Sequence, residues 1–241
     1  MLNKIAVMTH IGNVRTENQD YGDYDHGIAV LCDGMGGLAG GRRAAEVAAA
    51  AFLKVAGDRI ATCRSMRVVE KVFRNALISA KAAVFRQSDI PGNSGCGTTL
   101  VAAFVKDGSA CLINVGDSRG YLWSHTGGLK QLTTDHDLYT EKVAAGVNPG
   151  NIPDRDKHIL VQCLGAGMHD ELEPTLVHID ELPPNGVLLL CSDGLSNMVN
   201  DVEIAKILSS SYHPKDASDR LIDAALKGGG KDNISVILIM L

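Results

Sequence analysis

The sequence has no Cys-x-x-Cys pair, no basic run longer than Arg42-Arg43, no apolar stretch of bilayer-spanning length and no Pro/Ser-rich divider. Each absence excludes something. Scattered cysteines (32, 63, 96, 111, 163 and 191), with histidines not spaced to complete a set, leave a zinc site unsupported. Four of them lie in or beside apolar runs, where a free thiol packs as a small hydrophobe. A formal net charge of −5 speaks against a nucleic-acid binder. No Gly-Lys-Ser/Thr loop and no Gly-x-Gly-x-x-Gly fingerprint is present, so nucleotide binding is poorly supported. No Cys-x5-Arg loop is present for cysteine-based phosphate chemistry. The stretch Met1-Leu2-Asn3-Lys4-Ile5 has no apolar core of a leader peptide, so a reduced cytoplasmic location without membrane contact is expected. With 241 residues, 45% of them apolar, and no linker or repeat, one domain over 1–241 is expected.

What is present reads as alternating strand and helix blocks. Strands are expected over 5–11 and 26–32, then Ala-rich and amphipathic helices over 42–55 and 67–87. Four short strands follow over 98–105, 110–115, 119–124 and 129–132, with hairpin turns at Lys106-Asp107-Gly108 and Thr126-Gly127-Gly128. A short helix fits 136–145 and an irregular excursion 147–158. Strands over 176–179 and 187–191, helices over 202–209 and 215–227, and a last strand over 233–240 complete the order. Tight hairpins mean antiparallel sheet, and segregated helix pairs need two sheet faces to cover. The fold class is therefore α+β, with two stacked sheets and helices outside.

The chemistry gathers at five aspartates placed where apolar runs meet turns: Asp20, Asp33, Asp117, Asp193 and Asp232. A carboxylate at the mouth of a buried strand is costly unless it meets a cation or a donor. Hard carboxylate oxygens with backbone and water oxygens suit Mg²⁺ or Mn²⁺. Arg15, three residues before Asn18-Gln19-Asp20, carries the fork donor suited to phosphate. Taken singly, each motif has a plain reading: Asp33-Gly34 and Asp193-Gly194 as turns, Gly116-Asp117-Ser118-Arg119 as a hairpin apex, and Asp135-His136 as a helix cap.

In order, Arg15-Thr16-Glu17-Asn18-Gln19-Asp20, Asp33-Gly34-Met35-Gly36-Gly37, Gly97-Thr98-Thr99, Gly116-Asp117-Ser118-Arg119, Gln162-Cys163-Leu164-Gly165, Ser192-Asp193-Gly194 and Gly230-Lys231-Asp232-Asn233 resemble the bacterial type of the PPM (PP2C) metal-dependent serine/threonine protein phosphatases. The resemblance implies a four-layer α-β-β-α sandwich with two central antiparallel sheets. It implies that Asp33 bridges two Mn²⁺ or Mg²⁺ ions, with Asp193 and Asp232 on one and Asp20 and the Gly34 carbonyl on the other. It further implies a weaker third site on Asp117 with Asp193, phosphate capture by Arg15, and a flap over about 137–157. A water activated between the ions then attacks phosphorus. The implied partners are phosphorylated proteins and an opposing Ser/Thr kinase, with the chain a monomer. Two positions depart from the pattern: Leu38 stands where many bacterial members have His, and His10 where an acid is usual. If that His protonates the leaving oxygen, water or, more distantly, His136 is left to do so. The other readings open to the sequence are a non-catalytic phosphoprotein-binding module of the same fold and a small-phosphoester hydrolase.

Overall fold

The computed structural model describes residues 4–36, 40–90, 95–165 and 171–241. In chain order the elements are β1 (Ile5–His10), β2 (Asp20–Asp25), β3 (Ile28–Met35), α1 (Gly40–Ile60), α2 (Met66–Ser88), β4 (Gly97–Thr98), β5 (Leu100–Lys106), β6 (Ser109–Val115), β7 (Arg119–Ser124) and β8 (Gly128–Gln131). There follow α3 (Leu138–Ala144), 3-10 turns at Pro149–Asn151 and Asp154–His158, β9 (Leu164–Gly165), β10 (Thr175–Ile179), β11 (Val187–Cys191), α4 (Asp193–Ser196), α5 (Asp201–Ser209), α6 (Pro214–Lys227) and β12 (Ile234–Met240).

The strands form two antiparallel sheets. One runs β1-β12-β11-β7-β8; the other runs β10-β6-β5-β3-β4-β9, with β2 also paired to β3. Period-2 alternation divides the side chains of each central strand between two cores. Ile28, Val30 and Cys32 of β3 face α1 and α2, with Phe52 and Phe73 fully buried among them. Ala29 and Leu31 face the other sheet, where they meet Leu188, Leu190, Ile237 and Ile239. Leu189, Val236 and Leu238 face α5 and α6 through Ile204, Leu221 and Ile222. Three apolar layers between four structural layers give the expected α-β-β-α sandwich. The small side chains Ala44, Ala45, Ala48 and Ala49 let α1 lie close on its sheet, and all four are fully buried.

Two local expectations fail. The strand Asp20–Asp25 is absent from the sequence reading because Asp-Tyr-Gly-Asp-Tyr-Asp has no apolar alternation; it forms by pairing along β3 through the His26-Gly27 turn, both residues at positive φ. The Gly116–Arg119 segment is not a hairpin apex: β6 belongs to the seven-stranded sheet and β7 to the five-stranded one. The chain crosses between sheets there, which carries Asp117 to their shared edge. The positions Gly37 and Leu38 of the glycine motif lie outside the described residues.

Candidate metal and phosphate site

The site sits where the inter-sheet layer ends. On β3 the face that carries Ala29 and Leu31 continues to Asp33, and on β2 Asp20 stands directly opposite it in register. Like charges directly opposite in an antiparallel ladder destabilise it. Asp33 opens on a cleft of about 910 Å³ that also takes in Asp117, Asp193, Asp232 and Arg15 on its wall. Asp20 lies beneath, only 6% exposed. The structure thus brings all five aspartates and Arg15 to one sheet edge, from five separate stretches of chain. Gly34 lines the same cleft, and a Cβ there would run into the Gly41 carbonyl and the Gln19 backbone, so only glycine fits.

The carboxylates are charged against one another. Burial, and then its neighbours Asp20 and Asp193, hold Asp33 well above the usual carboxylate range. Burial pushes Asp20 up to about 6, although the Ser192 hydroxyl donates to it. Burial and the nearby Asp193 push Asp117 up to about 8. Asp193 is raised by burial and by Asp232. These groups need cations, and the structure supplies few: Arg15 reaches Asp232 through one terminal nitrogen at 2.6 Å.

The donor set fits a hard divalent ion. The Asp20 Oδ1 atom is buried and finds no donor, an open acceptor beside the Asp33 carboxylate. Among the described residues no three His, Cys, Asp or Glu side chains already converge on one point. The donors at the cleft are carboxylate and carbonyl oxygens, the hard ligands that suit Mg²⁺ and Mn²⁺, with water free to fill the remaining positions. Softer metals would want the thiols, but all six cysteines are buried, with Cys32 and Cys191 packed in the cores behind their neighbouring aspartates.

A shell of hydroxyls and amides, silent in the sequence, fixes these positions. Thr99 Oγ1 accepts the Asp33 N–H at 3.0 Å, while Thr98 Oγ1 and the Thr99 N–H both donate to the Asp33 carbonyl at 2.9 Å. Thr99 Oγ1 also bonds the Ser118 hydroxyl at 2.7 Å, joining the Asp33 strand to the Asp117 crossing. Ser192 Oγ donates to Asp20 Oδ2 at 2.8 Å and accepts the Ser235 N–H at 3.0 Å, tying the two sheets beneath the cleft. Asn233 donates to the Ile11 and Glu17 carbonyls and accepts the Gln19 N–H, so it staples the Arg15–Asp20 loop to β12. Arg119 clamps Asp135 in a fork at 2.6 and 2.9 Å. Asp137, not Asp135, caps α3 by accepting the Thr140 N–H.

Paired sheets with a carboxylate-lined edge and a phosphate-competent arginine define a metal-dependent phosphoester hydrolase. Residues 12–227 match the family model for protein phosphatase 2C. The chain is 34% identical over 248 residues to the serine/threonine phosphatase stp of Listeria monocytogenes, covering 96% of this chain and 93% of that protein. The crystal structure of the Mycobacterium tuberculosis serine/threonine phosphatase PstP superposes with a TM-score of 0.85 at 32% identity, over 98% of this chain and 97% of that one. A PstP catalytic domain in complex with two manganese ions gives 0.82 at 31% identity, over 98% and 96%. The chain belongs to the protein phosphatase 2C family.

Proposed function

We propose that this cleft hydrolyses phosphoserine and phosphothreonine in proteins, as a metal-dependent serine/threonine protein phosphatase. The observation that carries the reading is the Asp20–Asp33 pair: two carboxylates opposite one another in a ladder, one with a buried, partnerless oxygen. Such a pair keeps both charges near neutral pH only with cations in the cleft. Asp33 is assigned to both of two Mn²⁺ or Mg²⁺ ions, Asp193 and Asp232 to one, Asp20 and the Gly34 carbonyl to the other, and Asp117 with Asp193 to a weaker third site. When bound, the ions supply Lewis acidity toward a water and toward the phosphoryl oxygens.

The chain's own residues do the rest. Arg15, half exposed at the mouth, spends one nitrogen on Asp232 and keeps its other N–H donors for the transferring phosphoryl group. The Thr98–Thr99 and Ser118 hydroxyls hold Asp33 and Asp117 in place before any ligand arrives. The segment over about 137–157, with α3 and the first 3-10 turn, is assigned as a flap beside the cleft that influences which phosphoproteins enter. In this reading the chain works as one domain, a cytoplasmic monomer opposing a Ser/Thr kinase. No helix among the described residues is long and apolar enough to cross a membrane.

The test is hydrolysis of a phosphothreonine peptide with and without added Mn²⁺, in the native protein and in Asp33→Asn. Metal-dependent turnover that vanishes in the variant is expected; turnover without metal, or full activity in the variant, overturns the reading.

A further inference from the structure

Protein phosphoester cleavage leaves a serine or threonine alkoxide, which is a strong base and has to be protonated as it departs. Leu38, at the position after the glycines, carries no proton to give. His136 does not reach the reaction. It is 9% exposed; its Nδ1 accepts the Gly116 N–H at 3.2 Å, and its Nε2 bonds the Thr175 hydroxyl at 3.0 Å. Burial lowers its pKa. Both ring nitrogens are spent on holding the Gly116 crossing to the start of β10.

One imidazole among the described residues lines the cleft, and it is His158. It closes the 3-10 turn Asp154–His158 and shares the cleft wall with Arg15, Glu17, Asp193 and Asp232. It stands near enough to Asp193 for its charge to favour that carboxylate, as Arg15 does from its own position. The turn beneath it is anchored. Asp156 is 3% exposed and receives Lys142 Nζ at 2.8 Å. The Ile159 carbonyl accepts the Leu138 N–H at 2.9 Å, and Leu160 bridges to Asp137. Of the turn's other charges, Lys157 is held by Asp154 at 3.0 Å and lies over the Tyr139 ring. The backbone is therefore fixed on both sides of His158, while its exposed ring makes no hydrogen bond among the described residues. Imidazole is also the side chain whose ordinary proton affinity suits donation near neutral pH.

We propose that His158 is the proton donor to the leaving serine or threonine oxygen, an inference that rests on the phosphatase reading above. As water oxygen bonds to phosphorus, the bond from phosphorus to the side-chain oxygen breaks and its electron pair stays on that oxygen. The imidazolium N–H supplies the proton, leaving a neutral ring. The excess proton of the attacking water departs with phosphate or to solvent, and solvent recharges His158.

The experiment compares the native protein with His158→Gln on two substrates, a phosphoserine peptide and p-nitrophenyl phosphate, with Mn²⁺. Nitrophenolate departs without a proton, whereas the serine oxygen does not. The variant is expected to lose about 10²-fold in kcat on the peptide, the low end for general acid catalysis. It should keep its rate on p-nitrophenyl phosphate and bind Mn²⁺ unchanged by calorimetry. A readout apart from turnover is the His158 ring resonance with Mg²⁺, which is expected to shift when a non-hydrolysable phosphonate analogue of the peptide is added. An unchanged peptide rate, an equal loss on both substrates, or an unmoved resonance overturns the assignment while leaving the phosphatase reading intact. A native protein inactive on both substrates overturns both.

Discussion

Asp20 and Asp33 face each other across a ladder that would be more stable with almost any other pair. Replacing Asp33 with Asn removes a buried like charge. In metal-free buffer the variant is expected to melt a few degrees higher than the native protein. With Mn²⁺ the order should reverse, because only the native site gains from binding. Thermal melts with chelator and with metal check both. Thr99→Val tests the shell: it leaves the Asp33 N–H without its acceptor, at about 1–3 kcal/mol. Metal affinity is expected to fall about 10–100-fold, as for other groups that orient ligands; unchanged affinity by calorimetry would remove Thr99 from that role. Asp33 and Asp193 were legible in the sequence because Asp before Gly at the end of an apolar run is visible in one dimension, whereas Asp20, Asp117 and Asp232 stood out only as members of the ordered set of motifs. The jobs of Thr99 and Ser192 were not legible, since a hydroxyl acquires its meaning only from the fold that brings it to the Asp33 N–H or to the Asp20 carboxylate, far away in sequence. His158 was invisible for the same reason: it lies in an excursion without periodicity, and only its folded path puts it on the cleft.

The loop from Ile11 to Gln19 has no regular structure of its own, yet it carries Arg15 and leads into Asp20. Asn233 holds it through three bonds of 2.8–2.9 Å. Asn233→Ala leaves the Gln19 N–H and two carbonyls unmatched, so a loss of about 2–4 kcal/mol is expected. KM for a phosphopeptide should rise more than kcat falls, since the loop positions Arg15 and does not itself react. A denaturant series and steady-state kinetics separate the two effects, and an unaltered KM counts against the staple. Strand and helix placement was mostly legible, because β5, β6, β11 and β12 are near-continuous apolar runs and α2 repeats at helical spacing. The exceptions are instructive. Strand β2 is polar and exists by virtue of its partner, and the crossing at Gly116–Ser118 looks locally like any turn. Which sheet a strand joins is decided by contacts between distant segments, and no window of sequence contains them.

The sandwich as a whole holds a charge imbalance at one edge, and its stability should report that imbalance. A carboxyl raised above its ordinary value binds more protons folded than unfolded. Its contribution is complete at low pH and is lost as pH rises through the folded value. Asp20 is raised to about 6 and Asp117 to about 8, with Asp33 and Asp193 also raised. Ordinary carboxyls have finished titrating by about pH 5. Between about pH 5 and pH 8 the metal-free protein is therefore expected to lose stability as pH rises, with Tm falling by roughly 5 °C. Divalent ions displace those protons from the folded state, so saturating Mn²⁺ should flatten the slope and raise Tm most at the alkaline end. The same exchange predicts that metal binding releases protons, and that the calorimetric enthalpy at pH 6.5 varies with the ionisation enthalpy of the buffer. A Tm in chelator that stays level or climbs across this window, or an enthalpy independent of buffer, would mean that the carboxylates are already neutralised within the fold and that the cleft has no need of cations.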